Sequence, residues 1–287
     1  MPIESPGRIL ITGDKGFLGS HLLIHLRNLG FHCSALNCDL LDKASVKTRV
    51  MEVRPHYVVH LAGISFVGAD DKSMINDVNV VGTLNLLDSI RQLSIPPKKS
   101  LLMSSATVYG NSNIPMLDES ITPVPSSAYG CSKLLMEKAS EQYFDHFDIG
   151  ILRLFNLTGR CQDQKFVIPK IVAAYKNNQS VLKLGDLDVY REFNDVRDFL
   201  RLIPLILKSE LRSDILNVCS GRVISLNDVI NIMSDISGRK LCVESDPKFV
   251  RPNEVKILRG NPAKMEQLLG SGFSLEIKDT LQHMYSL

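Results

Sequence analysis

A tyrosine and a lysine four residues apart, Tyr129 and Lys133, are the sequence's clearest candidates for acid–base chemistry. Residues at this spacing lie on one face of a helix. A lysine ammonium beside a phenol lowers the phenol's pKa from about 10, so the pair predicts a tyrosine that exchanges protons near neutral pH. Upstream, the stretch SLLMSS ends with Ser104 and Ser105, whose hydroxyl groups predict a hydrogen bond to a substrate oxygen. An isolated pair of this kind is more often a half-buried tyrosine beside a solvated lysine, so other parts of the chain must support the interpretation.

The stretch ILITGDKGFLGSHLL contains three glycines at three-residue spacing, directly after a short apolar run. A strand that passes through a glycine turn into a helix suits phosphate binding, because the first amide groups of a helix lack partners and carry partial positive charge. In this interpretation Gly13 makes the turn, Gly16 lets a pyrophosphate approach, and Gly19 lets the helix pack on the sheet. Glycine spacing alone also fits an ordinary tight turn.

Strand-like and helix-like segments alternate through the first half of the chain. Four further apolar runs, HCSAL, YVVHLAG, SLLMSS and IGILRL, are separated by segments with helical periodicity at 43–52, 74–93 and 128–147. This alternation predicts an α/β fold with a doubly wound parallel sheet. Ligands bind at the carboxyl ends of such strands, where the glycine loop, Ser104, Ser105 and Asn156 fall. After about residue 154 the elements become shorter and mixed, which predicts a smaller lobe with some segments returning to the first.

Composition excludes several classes of protein. The 287 residues are 44% hydrophobic and 22% charged with a net charge of +2, which is typical of a globular enzyme and gives no argument for binding nucleic acid. The N-terminus is too short and polar before its first strand to predict a signal peptide, and no stretch approaches the roughly 20 apolar residues of a membrane span. Six cysteines without a Cys-x-x-Cys pair predict reduced thiols in a cytoplasmic protein. The seven histidines show no metal-ligand spacing, so we expect no metal.

Taken in order, the motifs resemble those of the extended short-chain dehydrogenase/reductase family, in its nucleotide-sugar-modifying branch. The matching segments are Thr12-Gly13-x-x-Gly16-x-x-Gly19, Asp39-Leu40-x-Asp42, His60-Leu61-Ala62-Gly63, Asn79-Val80-x-Gly82-Thr83, the run from Ser104 to Gly110, Tyr129-x-x-x-Lys133, and the run from Leu152 to Asn156. The resemblance implies a Rossmann-type NAD(P)-binding domain over residues 1–156. It implies a smaller mixed α/β lobe over 157–287 that mainly binds a nucleoside-diphosphate sugar, with Ser105, Tyr129 and Lys133 as the catalytic residues.

The same resemblance implies a cofactor site. The residues that it places against NAD(P) are Gly13, Lys15, Gly16, Phe17, Leu18, Asn37, Asp39, Leu40, Leu61, Ala62, Gly63, Asn79, Ser104, Tyr129 and Lys133. The second strand ends at the neutral Asn37, where folds that prefer NAD carry an acid on the ribose 2′-hydroxyl. Lys15 resembles the basic residue of NADP-preferring relatives, and Asp39 resembles the residue that binds the adenine. We therefore predict NADPH as the cofactor, with NADH as the alternative.

The C-terminal half looks most like GDP-4-dehydro-6-deoxy-D-mannose reductases, in the stretches LGDLDVYREFNDVRDF, ILNVCSGRVISLNDVI and DPKFVRPNEVKILRGNPAKMEQLLG. Carried onto this chain, the resemblance predicts substrate contacts from Ser105, Thr107, Asn156, Arg191, Arg251 and Glu254. Arg191 and Arg251 are expected to bind the diphosphate, because a planar guanidinium makes paired, charge-assisted hydrogen bonds. Guanine is inferred from this resemblance alone, and dTDP, UDP and CDP sugars stay open.

One departure from the family pattern bears on the reaction. The 4,6-dehydratases of the family carry an acid–base carboxylate after the active-site hydroxyl, where this chain has Ala106 and Thr107. We therefore predict an NADPH-dependent reductase of the C4 ketone of a 4-keto-6-deoxy nucleotide sugar. The alternatives are an NAD-dependent 4-epimerase and a catalytically silent NADPH-binding regulatory protein. The resemblance also suggests a homodimer built from the helices at 74–93 and 128–147.

Overall fold

The computed structural model describes residues 7–65, 72–246 and 255–286. The helices are α1 (Phe17–Asn28), α2 (Lys43–Val53), α3 (Lys72–Asn76), α4 (Gly82–Arg91), α5 (Ala128–Ser140), α6 (Val167–Lys176), α7 (Val196–Lys208), α8 (Leu226–Ser237), α9 (Ala263–Leu269) and α10 (Ile277–Tyr285). The strands are β1 (Arg8–Thr12), β2 (His32–Ala35), β3 (Tyr57–His60), β4 (Lys99–Ser105), β5 (Ile149–Leu154), β6 (Leu157–Thr158), β7 (Val181–Leu184), β8 (Tyr190–Arg191), β9 (Asn194–Asp195), β10 (Asp214–Val218), β11 (Ile224–Ser225), β12 (Cys242–Ser245) and β13 (Ile257–Leu258). None of the described helices is long and apolar enough to cross a membrane.

A six-stranded parallel sheet, in the order β10-β5-β4-β3-β1-β2, confirms the predicted α/β class. Its strands are runs of apolar residues because both faces are covered, and Leu10, Val58 and Leu102 are completely buried. From β1 the chain proceeds outward to β2, then returns to place β3 on the other side of β1. The carboxyl ends of β1 and β3 therefore lie at the point where strand order reverses, which is where ligands bind in such folds.

Two of the predicted helices are interrupted. The segment predicted as one helix over 74–93 consists of α3, a π-helical turn at Asp77–Val81, and α4. The wider turn carries Asn79, whose buried side chain makes hydrogen bonds outside the helix. The helix predicted over 128–147 ends at Ser140 and continues only as a 3₁₀ turn, Glu141–Tyr143. Helical periodicity does not predict either change, because neither segment contains a glycine or a proline that would mark it in the sequence.

Contacts divide the chain into two compact units. The first unit comprises Met1–Gly110, Pro123–Arg153 and Ile203–Leu216, and the second comprises Asn111–Thr122, Leu154–Leu202 and Asn217–Leu287. The core of the second unit is formed by apolar side chains of α6, α8 and α10, including Ile171, Val229 and Leu281. Helix α8 begins with a capping box, in which the side chains of Ser225 and Asp228 each accept a hydrogen bond from the other's backbone amide. As an assignment of cofactor-binding and substrate-binding domains, the division into 1–156 and 157–287 stays a prediction.

Candidate active site

The first turns of α5 bring Tyr129 and Lys133 together. Ser127 caps this helix, with its hydroxyl oxygen accepting from the amide of Gly130 at 3.0 Å. The Lys133 ammonium is buried, donates to the Met103 carbonyl at 2.7 Å, and lies 6.0 Å from the centroid of the Tyr129 ring. Ser105 ends β4, and its hydroxyl lies close enough to the Tyr129 phenol to lower the phenol's pKa. The structure therefore places all three predicted catalytic residues in one site of the first unit.

The electrostatics of this site correct one expectation. Burial raises the pKa of Tyr129 to about 12, although its hydrogen bond with Ser105 acts in the opposite direction. Burial also lowers the pKa of Lys133 to about 8, opposed by the negative charge of Glu137. The prediction that Tyr129 has a lowered pKa beside Lys133 is wrong for this arrangement, because burial raises the phenol's pKa and the Lys133 ammonium instead donates to the Met103 carbonyl. Tyr129 is thus protonated at neutral pH and is set up as a proton donor.

Ser104 is placed differently from Ser105. It is buried, and its hydroxyl donates to the carboxylate of Glu137. That carboxylate also binds Arg153 through two hydrogen bonds, of 3.1 and 2.8 Å, and the guanidinium lies 4.8 Å from the centroid of the Tyr109 ring. The Ser104 hydroxyl, which the resemblance places against the cofactor, is therefore committed to a buried ion pair behind the end of β4.

Ser105 also caps the short 3₁₀ turn that follows β4, Ala106–Tyr109. Its oxygen accepts a hydrogen bond from the amide of Thr107 at 3.2 Å and another from the Thr107 hydroxyl at 2.9 Å. Thr107, predicted as a substrate contact, is thus bonded to Ser105, the predicted catalytic serine.

The glycine loop between β1 and α1 approaches the end of β3 closely. Gly13 has a φ of 71°, and a Cβ there would lie 2.7 Å from the amide nitrogen of Ala62. Gly16 is the N-cap residue of α1 with no side-chain cap, and Phe17 and Leu18 form the first turn of that helix. The first amide groups of α1 are therefore available to an anion, and the residues present fit the pyrophosphate of a dinucleotide.

A cavity of about 450 Å³ opens beside this loop. Its walls are Thr12, Gly13, Asp14, Lys15, Leu36, Asn37, Cys38, Asp39, Leu40, Ala62 and Val78. Six of these were predicted to contact the cofactor, namely Gly13, Lys15, Asn37, Asp39, Leu40 and Ala62. A second cavity, of about 390 Å³, shares Leu36, Asn37 and Cys38 and adds Ser45, Thr48, Arg49 and Glu52. The size and lining of the first cavity fit the adenosine end of a dinucleotide at the strand-order switch point.

A buried hydrogen-bonded chain links the loop after β1 to the helix after the π turn. The two ring nitrogens of His60 bond Thr12 Oγ1 at 2.7 Å and Thr83 Oγ1 at 2.8 Å. Thr83 donates to the Asn79 carbonyl, so it accepts from His60 Nε2, while Thr12 accepts from the Ala62 amide and donates to His60 Nδ1. Only the neutral Nε2–H tautomer satisfies this chain, and burial lowers the pKa of His60 to about 3.

Asn79 connects the segment after β3 to α5, the helix that carries Tyr129 and Lys133. Its amide side chain bonds the backbone of Ile64 in both directions, at 2.8 and 3.1 Å, and donates to the Ser132 hydroxyl at 3.0 Å. Ser132 in turn donates to the Tyr129 carbonyl at 2.8 Å. The neighbouring Gly63 leaves room for this side chain, because a Cβ there would lie 2.8 Å from Asn79 Oδ1. Asn79, predicted as a cofactor contact, thus links Leu61–Ile64 to α5.

The predicted substrate residues beyond Thr107 lie in the second unit or outside the described residues. Asn156 follows β5 and accepts at its carbonyl from the amide of Asn194 at 2.8 Å. Arg191 ends β8, and its guanidinium donates to the carbonyls of Tyr190 at 2.9 Å and Lys256 at 3.2 Å. Arg251 and Glu254 lie outside the described residues. Their roles stay predictions.

Comparison with known proteins identifies the family. Residues 31–284 match the sequence profile described as GDP-mannose 4,6 dehydratase. The chain belongs to this family. It is an extended short-chain dehydrogenase/reductase, and hence an NAD(P)-dependent enzyme of the nucleotide-sugar branch.

Two curated relatives and one solved structure cover nearly the whole chain. The GDP-6-deoxy-D-talose 4-dehydrogenase of Aggregatibacter actinomycetemcomitans is 30% identical over 97% of both chains. The GDP-6-deoxy-D-mannose reductase of Pseudomonas aeruginosa is 30% identical over 97% of this chain and 96% of its own. The structure of RMD from P. aeruginosa complexed with NADPH superimposes with a TM-score of 0.88 at 29% identity, over 98% of this chain and 97% of its own.

Several buried polar residues that the structure shows were not predicted from sequence. His60 and Thr83 lie inside recognised motifs, so the motifs were a usable signal for them. Glu137 lies in α5, where nothing in the sequence pattern marked it as a buried ion-pair residue. Arg153 lies in β5 and was marked only by falling within the motif LRLFN. Glu192 gave none: it is completely buried in the second unit and accepts from the amides of Ser220 and Gly260, each at 2.7 Å. Within the described residues, no group of three acidic, histidine or cysteine side chains is arranged to hold a metal.

Proposed function

We propose that this enzyme uses NADPH to reduce the C4 ketone of a GDP-4-keto-6-deoxyhexose. The observation that carries the proposal is the placement of Tyr129 beside the buried Lys133 ammonium, 6.0 Å from the ring centroid, with Ser105 at the end of β4 next to the phenol. When bound, the nicotinamide supplies the hydride that C4 accepts. Tyr129 gives its proton to the resulting C4 oxygen, and Ser105 hydrogen-bonds that oxygen as its negative charge develops. Lys133 keeps a positive charge near the phenol and binds the nicotinamide ribose.

The turn after Ser105 separates this activity from dehydration. A 4,6-dehydration needs a base for the proton at C5, and the 3₁₀ turn offers Ala106 and Thr107 where dehydratases of the family place a carboxylate. An alanine methyl and a threonine hydroxyl cannot take up that proton near neutral pH. Membership in a family described by its dehydratase is therefore compatible with a reductase.

The names of the two relatives support the choice of substrate. One acts on GDP-6-deoxy-D-talose and the other on GDP-6-deoxy-D-mannose, at the same identity to this chain. These two sugars differ only in the configuration at C4, so both arise from one 4-keto sugar by hydride delivery to opposite faces. The shared ketone is the substrate that we propose, and product analysis by NMR assigns the face.

The test is consumption of NADPH by the purified enzyme in the presence of GDP-4-keto-6-deoxy-mannose. We expect Tyr129→Phe to lower kcat by at least about 100-fold, because proton donation is lost, while NADPH binding stays within a few-fold. Tyr57→Phe is the matched control, because Tyr57 begins β3, at the end of the strand opposite the site. A Tyr129→Phe enzyme that keeps turnover within a few-fold of the wild type contradicts the assignment.

Other outcomes identify the alternatives. Protein purified with tightly held NAD that interconverts C4 epimers without consuming NADPH is a 4-epimerase, since epimerases use the same serine, tyrosine and lysine. Protein that binds NADPH and turns over no nucleotide sugar is a binding protein. A homodimer through α4 and α5 and a cytoplasmic location stay predictions, and the mass in solution tests the first.

NADPH is proposed over NADH because the cavity beside the glycine loop holds Lys15 and the neutral Asn37. A lysine attracts the 2′-phosphate, and no acid at the end of β2 repels it. We expect Lys15→Ala to weaken NADPH binding about tenfold and leave NADH binding within about twofold, since a charge-assisted hydrogen bond is lost only for NADPH. Lys47→Ala, an exposed lysine on α2, is the control. Equal weakening of both cofactors by Lys15→Ala contradicts the role.

A further inference from the structure

The Ser105 hydroxyl receives two hydrogen bonds from one neighbour. The amide of Thr107 donates to Ser105 Oγ at 3.2 Å, and the Thr107 hydroxyl donates to the same oxygen at 2.9 Å. A serine hydroxyl can accept two hydrogen bonds and donate one. Thr107 therefore fills both accepting positions of Ser105 and leaves it only its own proton.

The remaining proton has a partner in the site. The Tyr129 phenol lies beside Ser105, whose hydroxyl lowers the phenol's pKa, and with both acceptor positions filled Ser105 can interact with the phenol oxygen only as a donor. We propose that Thr107 is a positioning residue, which makes Ser105 a hydrogen-bond donor only and directs its proton toward the reacting oxygens. This inference rests on the proposed function for its kinetic consequence, and its geometry stands independently.

A donor-only serine favours the reaction in a definite way. Negative charge develops on the C4 oxygen of the substrate, and then on the Tyr129 oxygen once the phenol has given up its proton. A hydroxyl that can only donate can stabilise each of these oxygens in turn as its negative charge develops, and accepting a hydrogen bond strengthens the one that it donates. It also leaves the Tyr129 proton free to face the substrate rather than Ser105.

The turn that carries Thr107 is well anchored. Ala106 and Val108 on either side are buried, with 1% and 0% of their surface exposed, whereas Thr107 itself is half-buried. The neighbours thus fix the backbone, and the Thr107 side chain can serve the hydroxyl of Ser105. A purely structural threonine would contribute through its methyl group instead, so two variants separate the roles.

Thr107→Val keeps the shape and the methyl group but removes the donor, whereas Thr107→Ser keeps the donor and removes the methyl. In Thr107→Val, Ser105 has an open acceptor position and can accept a hydrogen bond from the Tyr129 hydroxyl. The Tyr129 proton then points toward Ser105 instead of toward the substrate. We expect Thr107→Val to lower kcat about tenfold with KM within about twofold, the equivalent of one lost hydrogen bond, and Thr107→Ser to restore most of the rate. A Thr107→Val enzyme with a wild-type kcat, or a Thr107→Ser enzyme as slow as Thr107→Val, overturns the proposal.

A second readout does not require turnover. The NMR resonance of isotope-labelled tyrosine Cζ, assigned with the Tyr129→Phe variant, reports the hydrogen bond that the Tyr129 oxygen accepts. We expect Thr107→Ser to overlay the wild type and Thr107→Val to shift, and three coincident resonances overturn the proposal. A wild-type enzyme that reduces no keto-sugar contradicts the proposed function, while this measurement still decides the role of Thr107.

Discussion

Each unit buries a glutamate, but the two carboxylates are held by different kinds of partner. In the first unit, Glu137 is 1% exposed and binds the guanidinium of Arg153 in a paired arrangement. In the second unit, Glu192 is completely buried and accepts from the backbone amides of Ser220 and Gly260 and from the Asn194 side chain at 3.2 Å. The positive charge of Arg153 balances the Glu137 carboxylate, whereas the Glu192 carboxyl group is surrounded by the dipoles of uncharged amide groups.

The difference matches what each region has to position. The Glu137–Arg153 pair joins side chains of α5 and β5 and holds Ser104, the residue before the predicted catalytic residue Ser105. Glu192 instead ties together three backbone segments that are far apart in the chain, next to Arg191. In the first unit, a side-chain pair therefore fixes the end of β4, where the proposed catalytic residue Ser105 lies. In the second unit, a carboxylate bound by backbone amides fixes the segments next to Arg191, a predicted substrate contact.

The largest effect expected from this comparison comes from breaking the ion pair. Arg153→Met leaves the Glu137 carboxylate buried without its cation, and we expect the free energy of unfolding to fall by about 3–5 kcal/mol. Denaturant unfolding of the purified enzyme measures this loss. A loss of less than about 1 kcal/mol contradicts the view that the cation is what makes this carboxylate tolerable.

The double variant Glu137→Leu with Arg153→Met is the matched control, because it replaces both charges with apolar side chains. It should recover most of the lost stability, since a buried ion pair replaced by packed hydrophobic residues is often neutral. If the double variant is as unstable as Arg153→Met, the loss comes from packing rather than from an unpaired charge.

The sequence predicted the architecture well because alternating apolar runs and helical segments leave few topologies. The parallel sheet and the position of the glycine loop both follow from that alternation, whereas the π turn at Asp77–Val81 does not. The π turn carries Asn79, which bonds the backbone of Ile64, a residue 15 positions away in the chain. A contact over this distance leaves no mark in the local sequence pattern.

In the candidate site, too, the features set by local sequence could be predicted and those set by the folded unit could not. Tyr129 and Lys133 could be predicted because their spacing on one helix brings them together, and Ser105 because it ends a strand at the ligand-binding edge. The direction of the Tyr129 pKa could not, because burial depends on the whole unit rather than on the neighbour four residues away. Glu192 could not be predicted either, since its partners at Ser220 and Gly260 are joined to it only by folding.

The smaller effect in the comparison concerns the amide-bound carboxylate. Glu192→Gln replaces one accepting oxygen with an NH₂ group that faces backbone N–H donors, and we expect a loss of about 1–3 kcal/mol. Burial raises the pKa of Glu192 above its ordinary 4.5, so the folded state holds this proton more tightly than the unfolded state does. That contribution is complete below pH 4.5 and is lost as the pH rises through the folded pKa.

The loss caused by Glu192→Gln should therefore be largest at low pH and shrink as the pH rises, because glutamine cannot ionise in either state. Unfolding of wild type and variant across the acidic range measures this trend, with Glu244→Gln, an exposed carboxylate on β12, as the control. A loss that grows with pH would mean that the amides of Ser220 and Gly260 hold an ionised carboxylate tightly enough to outweigh burial. In that case Glu192 would resemble Glu137 energetically, with backbone dipoles doing what Arg153 does in the first unit.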